Sequence, residues 1–530
     1  MDNNKVLDKI NKKNKILFII EYKEIFIYLA LYFVANYLFL CNFPFMHSDE
    51  SWLSGLSRNI IDTGSLSVTE TFYDLYPRNP HAIKTVFHIL QTVFILIFGY
   101  SLNTVRLMSL IFSLISLYLL YRIAYKLSGK KIISLLVVVL ISLDIQYIYI
   151  SHFARQEIVL VFFTLLAMLY YLECEPSFNI INSVYLGSIL GISIGIHPNF
   201  LIIAIAVLLI LFTKMLAGAL SKRQFFVIVG TFLAFGVLFL IVSLNFNSNF
   251  IRDYSAYGKT LGVGDGISQR FVNFKNFYIK LYEGITGTYY LPNIKIQLIS
   301  IPILFVLGIV YWIIARKISY GVLGIVGVNI GYFVIGRYGQ PSIIFEIVFV
   351  YILLFEILNG MDFLKEGIAY TVQITVVAVA CLGVGYFGIT QILDNTNEDY
   401  QDYVSKISQY VPENKKVLAN LNLEYYFDNG VLKDYRNLQY LKMSNISFEQ
   451  YIDFNNIEYI IYPEEMDYIF RNSPNWDILY GNTTVFYEDM KSYLNENCDK
   501  IGEFQTPYAM RISQEMYKVP WNLTVYKVKE

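Results

Sequence analysis

Apolar runs of membrane-spanning length recur along the chain, each closed by a short polar break. Read as spans, they cover about residues 25–40, 104–125, 132–150, 158–173, 180–196, 200–217, 225–244, 296–314, 319–335, 342–359 and 368–390. The pattern predicts a polytopic α-helical membrane protein with about eleven transmembrane helices. The breaks include two long external loops, 43–102 and 245–295. In the first, Trp52, Leu53, Leu56 and Ile60 recur at helical spacing, which predicts a helix lying on the membrane surface. Residues 82–100 are ambiguous: Ile83 to Phe98 is apolar enough to span, but Lys84, His88 and Gln91 interrupt it. A re-entrant or interfacial segment there keeps Lys126, Lys130 and Lys131 on the cytoplasmic side, which the positive-inside bias favours. After residue 394 the pattern changes. Strand-like runs at 416–421, 457–462, 484–486 and 522–528 alternate with helical stretches at 447–454 and 488–494. The chain thus divides into a membrane domain, 1–394, and a small α/β domain, 395–530.

Composition agrees with the pattern. Hydrophobic residues make up 55% of the 530 and charged residues only 16%, where a soluble domain carries roughly 25%. A net charge of -1 gives no basis for a nucleic-acid partner; the bilayer is the partner the sequence implies. Lys5, Lys9, Lys12, Lys13 and Lys15 hold the N-terminus in the cytoplasm. Alternation of the spans then places the C-terminal domain outside the cytoplasmic membrane. Cys41, Cys174, Cys381 and Cys498 are scattered and predict neither a disulfide framework nor a cysteine metal site.

In this topology all five histidines, His47, His81, His88, His152 and His197, fall at or near external segment ends. So do Asp49, Glu50, Arg78, Lys84, Arg155, Glu157 and Arg337. Ionisable groups beside a membrane mark function by default, and one-sided clustering points to a single outward-opening site. Blander readings stand beside this one. Asp49 and Glu50 also suit the N-terminus of a helix. Arg155 with Glu157 suits a structural ion pair, and Arg337 suits a headgroup contact. A metal is a further alternative, with Asp49, Glu157 and His152 as its possible ligands.

These residues carry a family resemblance. Asp49-Glu50 through Ser57-Arg58 to Asp62-Thr63-Gly64 resembles the first external loop of the GT-C glycosyltransferases, closest to their protein O-mannosyltransferase and aminoarabinose transferase branch. Pro77 to His88, Phe98-Gly99 and Val105-Arg106-Leu107 resemble that branch's second surface helix and the span after it. Its usual Lys-Pro-Pro element reads Arg78-Asn79-Pro80-His81 here, with Lys84 displaced. Ser151-His152-Phe153-Ala154-Arg155-Gln156-Glu157 resembles an Ala-Arg-Pro-Glu element with Gln156 in place of Pro, and Arg337-Tyr338 resembles an Arg-Tyr that contacts lipid phosphate. The likeness covers about residues 20–390.

The resemblance implies a GT-C fold and an inverting transfer of a hexosyl or pentosyl group from a polyprenyl-phosphate sugar to an external glycan, lipid or protein. Asp49 and Glu50 would be catalytic, with Asp49 the base. Arg155, Arg337, Lys84 and Arg78 would bind the donor phosphate, since a guanidinium forks onto phosphate oxygens and stays charged. His47, His81, His152, Glu157 and His197 would complete the pocket. Some GT-C enzymes need a divalent metal and others do not, so the resemblance implies no certain cofactor. A transporter or flippase of lipid-linked saccharides, or a polysaccharide polymerase or ligase, is the alternative. A transporter is expected to show polar groups on broken helices near mid-membrane, which this pattern does not display apart from Asp144 and the Gly-rich ninth span.

Overall fold

Long apolar runs fold as helices because a helix satisfies every backbone hydrogen bond within the segment. The computed structural model describes residues 22–260, 266–285, 289–336, 338–361, 365–396, 399–511 and 521–529. The helices up to residue 395 are α1 (Lys23–Tyr37), α2 (Ser48–Thr63), α3 (Thr85–Phe98), α4 (Leu102–Ser128), α5 (Lys131–Ser142), α6 (Ile145–Ser151), α7 (Glu157–Cys174) and α8 (Ile180–Ile192). They continue with α9 (Phe200–Leu216), α10 (Lys222–Phe246), α11 (Phe250–Thr260), α12 (Ile267–Glu283), α13 (Lys295–Ala315), α14 (Tyr320–Ile335), α15 (Ile344–Asn359) and α16 (Glu366–Asn395). Among the described residues, six helices are long and apolar enough to cross a membrane, or seven if α5 and α6 form one bent span. That is fewer than the eleven expected. Helices α3, α8, α9 and α14 are apolar but shorter, at 10–17 residues. A helix of 14 residues is only about 21 Å long against a hydrocarbon core of about 30 Å.

Burial sorts the bundle. The segment containing α15 is 89% buried and sits at the centre, whereas α10 and α13, at 11% and 6%, turn apolar side chains outward. Helix α14 packs closely on α9. A methyl group added at Gly327 would lie 2.3 Å from the Ala206 backbone, and one at Gly331 2.5 Å from that of Ile202. Small residues at i and i+4 let two helices approach this closely.

The third expected span is not straight: α5 and α6 meet at 72°. Asp144 makes the break. Its Oδ1 accepts the Gln146 N–H at 2.8 Å and starts α6, while Oδ2 accepts from Gln297 at 3.0 Å and Tyr351 at 2.7 Å. The sequence pattern gave no broken helix here, because a single Asp inside an apolar run reads as an interruption and not as a cap. With both oxygens occupied, this carboxylate serves the bend.

The C-terminal unit contains strands β1 (Val417–Ala419), β2 (Leu432–Asp434), β3 (Tyr459–Pro463), β4 (Cys498–Thr506) and β5 (Trp521–Val528). Their order is β2-β1-β3-β5-β4; the first three are parallel, and β5 runs antiparallel to both of its neighbours, β3 and β4. The strand expected at 484–486 is instead a 3-10 turn, Thr483–Val485. The edge strand β4 escaped notice because most of its side chains are solvated, so its sequence lacks an apolar face.

One apolar cluster crosses the seam between the two parts, joining Met46, Phe72 and Val105 to Tyr400, Leu423 and Val525. Along it, Arg58 donates to the Phe427 carbonyl at 2.8 Å and Ser54 to Tyr425 at 3.0 Å. The backbone N–H of Asp434 and the side chain of Asn437 both donate to the Phe72 carbonyl. Gly55 permits this approach: a methyl group there would lie 2.4 Å from the Phe72 ring. The seam therefore lies against α2, the helix that begins with Asp49.

Candidate active site

Helix α2 begins where it does because His47 caps it. His47 is extended, its Nδ1 accepts the Asp49 N–H at 2.9 Å, and Glu50 accepts the His47 N–H at 3.0 Å. This reciprocal box satisfies the orphan amides of the first turn. The capping reading of the acidic pair thus falls to His47 and Glu50, and the Asp49 carboxylate is released from it.

Glu50 is fully buried. Arg106 grips it with two bonds of 2.8 and 2.7 Å, and the Ala154 N–H donates to it at 3.0 Å. Arg106 also donates to the carbonyls of Leu40 and Pro44, at 2.9 and 3.0 Å. The pair ties together the chain before α2, the start of α4 and the turn before α7. A carboxylate with both oxygens engaged and no exposure does not reach a substrate, so Glu50 positions its neighbours. Its place in the expected catalytic pair is corrected on that ground.

Asp49 is different: its side chain is 26% exposed. Its Oδ2 accepts from Arg155 at 2.7 Å and from the Tyr289 hydroxyl at 2.7 Å. Its Oδ1 lies 3.8 Å from His47 Nδ1 and has no hydrogen bond among the described residues. Burial alone would raise this carboxyl; His47, Arg155, Tyr289 and Arg436 outweigh it and hold the group well below the usual carboxylate range. Burial pushes His47 down to about 4, so its imidazole is neutral at pH 7 and the guanidiniums hold the charge on Asp49. Arg155 is itself shared, with Glu157 at 3.3 Å and the Tyr289 ring face at 4.7 Å. Tyr289 also stacks on His47 at 4.5 Å.

Lys84 stands before α3 within electrostatic reach of Asp49, Arg155, Arg78 and Glu70. Among the described residues its ammonium makes no hydrogen bond and no ion pair. Burial, then Arg155 and Arg78, push its ammonium down to about 8, against the pull of Asp49 and Glu70. Arg78 is held by Glu70 at 2.9 Å and lies over the Trp52 ring at 4.8 Å. His197 lies within electrostatic reach of Asp49, Arg155 and Lys84. One buried Glu157 oxygen has no hydrogen-bond partner among the described residues. His81 lies further out, beside the rings of Phe250 and Tyr254.

His152 does not face the site. Its nitrogens engage the Phe43 carbonyl at 2.9 Å and Asn36 at 3.0 Å. This overturns its assignment as a pocket residue and possible metal ligand. Among the described residues no group of three His, Cys, Asp or Glu side chains has the arrangement to hold a metal ion. Arg337 lies outside the described residues. Tyr289 and Arg436 were missed by sequence reasoning. Tyr289 falls in the long polar break 245–295, in a Tyr-rich stretch that suits interfacial belts and sugar stacking equally. Arg436 carries no sequence signal, because only docking of the C-terminal unit brings it near Asp49.

This arrangement offers a carboxylate with one free oxygen beside cations from separate parts of the chain. Comparison with known proteins adds a partial match. Residues 87–251 match the model of the dolichyl-phosphate-mannose-protein mannosyltransferase family. The mannosyltransferase match takes in His88, Arg106, Arg155, Glu157 and His197; Asp49, Glu50 and Lys84 lie just ahead of it. No curated protein sequence matches the chain. Among solved structures, ArnT from Cupriavidus metallidurans bound to undecaprenyl phosphate is 13% identical, covering 83% of this chain and 96% of its own, with a TM-score of 0.46. The archaeal oligosaccharyltransferase AglB from Archaeoglobus fulgidus, in complex with an inhibitory peptide and a dolichol-phosphate, is 11% identical, covering 94% and 75%, with a TM-score of 0.49. No residue role in this chain rests on likenesses of that depth.

Proposed function

We infer that the chain is a membrane glycosyltransferase that moves a sugar from a polyprenyl-phosphate donor to an acceptor outside the cytoplasmic membrane. The observation that carries this reading is the Asp49 carboxylate, held ionised through one oxygen by Arg155 and Tyr289, with the other oxygen free. In the reaction, Asp49 Oδ1 takes the proton of an acceptor hydroxyl. The hydroxyl oxygen attacks the anomeric carbon, the bond from that carbon to the phosphate oxygen breaks, and polyprenyl phosphate leaves. A single displacement of this kind inverts the anomeric centre. Lys84 and Arg155 take up the charge that develops on the phosphate. As Arg155 turns toward phosphate it loosens its hold on Asp49, whose basicity then rises where it is needed. In this reading residues 1–394 form the transferase domain, residues 395–530 an external α/β domain, and the basic N-terminus is cytoplasmic.

The test uses the full chain in lipid nanodiscs with a panel of synthetic polyprenyl-phosphate sugars and an envelope extract as acceptor. Mass spectrometry is expected to show free polyprenyl phosphate and glycosylated acceptor. Binding of donor without any loss of sugar would favour the flippase reading instead.

Lys84 supplies a pH prediction. Its ammonium is charged below about 8 and neutral above. Affinity for polyprenyl phosphate is therefore expected to fall as pH rises through that value, and Lys84→Arg should retain affinity at pH about 9 because a guanidinium does not deprotonate there. Equal pH profiles for the two proteins, measured by lipid binding, would remove Lys84 from the phosphate site.

A further inference from the structure

β2 ends at Asp434, whose Oδ1 accepts the Arg436 N–H at 2.9 Å and starts the 3-10 turn Tyr435–Tyr440. That turn sends the Arg436 side chain out of the C-terminal unit toward α2. Both Asp434 oxygens are gripped by the buried Arg511 at 2.7 and 2.8 Å, so Asp434 makes no ion pair with Arg436, although its charge still favours the Arg436 cation. Arg436 is half-buried, donates through Nε to the Leu479 carbonyl at 3.4 Å, and has no ion pair among the described residues. Its guanidinium lies 5.4 Å from the Trp52 ring centroid. Trp52 is in turn fixed by Glu70, which accepts its indole N–H at 2.6 Å. Stacking of a guanidinium uses the face of its π system and leaves in-plane N–H groups for an anion. Trp52 follows Asp49 on the same helix, and Asp49 feels the Arg436 charge. Arg436 and Lys84 thus approach Asp49 from opposite parts of the chain, and neither is spent on a protein carboxylate.

We propose that Arg436 is an anion-binding residue of the transferase site, supplied by the C-terminal unit, and that it holds the phosphate of the lipid-linked donor. The proposal rests on the transferase reading above. A sugar phosphodiester carries one negative charge, and the departing monoester carries up to two. A second cation near Asp49 that, like Lys84, has no ion pair among the described residues matches the charge that appears when the sugar bond breaks. It also gives the C-terminal unit a role: the site is complete only when that unit is docked on α2.

The test measures binding of undecaprenyl phosphate, and of the uncharged undecaprenol as control, to the full chain in nanodiscs. Arg436→Gln is expected to bind the phosphate about 10- to 100-fold more weakly, with undecaprenol binding and thermal unfolding unchanged. Arg436→Lys, which keeps the charge and loses the fork, should fall between Arg436→Gln and wild type. Wild-type affinity in Arg436→Gln would overturn the proposal, and a raised KM for an acidic acceptor alone would reassign the residue to that acceptor. Equal loss of both lipids would make Arg436 a seam residue and would also overturn it. If Arg436→Gln does not fold, wild-type affinity in Arg436→Lys overturns it. Failure of the wild-type chain to bind undecaprenyl phosphate at all would remove the transferase reading with it.

Discussion

Asp49→Asn is expected to lower sugar transfer by about 10²–10⁴-fold while leaving the chain folded and able to bind polyprenyl phosphate. The amide keeps the size of the carboxylate but cannot accept a proton from an acceptor hydroxyl. The loss should fall on kcat, because the proton moves only as the sugar bond breaks. Folding should survive. Arg155 retains Glu157 as a partner, and the cap of α2 belongs to His47 and Glu50, not to Asp49. The measurement is release of polyprenyl phosphate by the purified variant, with lipid binding run alongside. Transfer within threefold of wild type would show that Asp49 is not the base.

Glu50→Ala is expected to give the opposite profile, a large loss of stability. Removing one partner of a buried ion pair costs about 3–5 kcal/mol, because the other charge is left uncompensated. Here the stranded group is Arg106, fully buried and bound to two carbonyls besides Glu50. The Ala154 N–H and the His47 N–H lose their acceptor as well. Thermal unfolding of the detergent-solubilised chain is expected to show a strongly lowered midpoint and poor recovery of folded protein. Adding Arg106→Met should recover part of the loss, since it removes the stranded charge. A Glu50→Ala chain with wild-type stability and no activity would restore Glu50 to the catalytic pair. Neighbouring acids on one helix turn are thus separated by what each can reach: the Asp49 side chain is 26% exposed, and Glu50 faces a guanidinium inside the fold.

Much of this was legible from residue order. Apolar periodicity located most of the helices, and the acidic pair after the first run marked the start of α2. The turn before α7 stood out because Arg155 and Glu157 interrupt an apolar stretch. These features are local: hydrophobic length, helix caps and isolated charges depend on neighbours within a few residues. Reading failed where a short-range pattern had more than one physical outcome. Asp144 in an apolar run gave a bend because Gln297 and Tyr351 come from distant helices to satisfy it. His152 looked like a pocket residue because it lies beside Arg155, but its side chain turns to Asn36 and the Phe43 carbonyl.

The sequence by itself determined a mostly helical chain with apolar segments long enough to span a membrane, followed by strand-forming runs. Each of these follows from composition and period. Only the tertiary structure decided that Asp49 keeps one oxygen without a hydrogen bond among the described residues and Glu50 none, that Tyr289 shares the carboxylate with Arg155, and that the Arg436 charge, nearly four hundred residues away in the chain, is felt at Asp49. The reason is that ion pairing, burial and stacking depend on distance in space, and the packing of α2 against α3, α4 and the C-terminal unit brings together groups whose separation along the chain carries no trace of it.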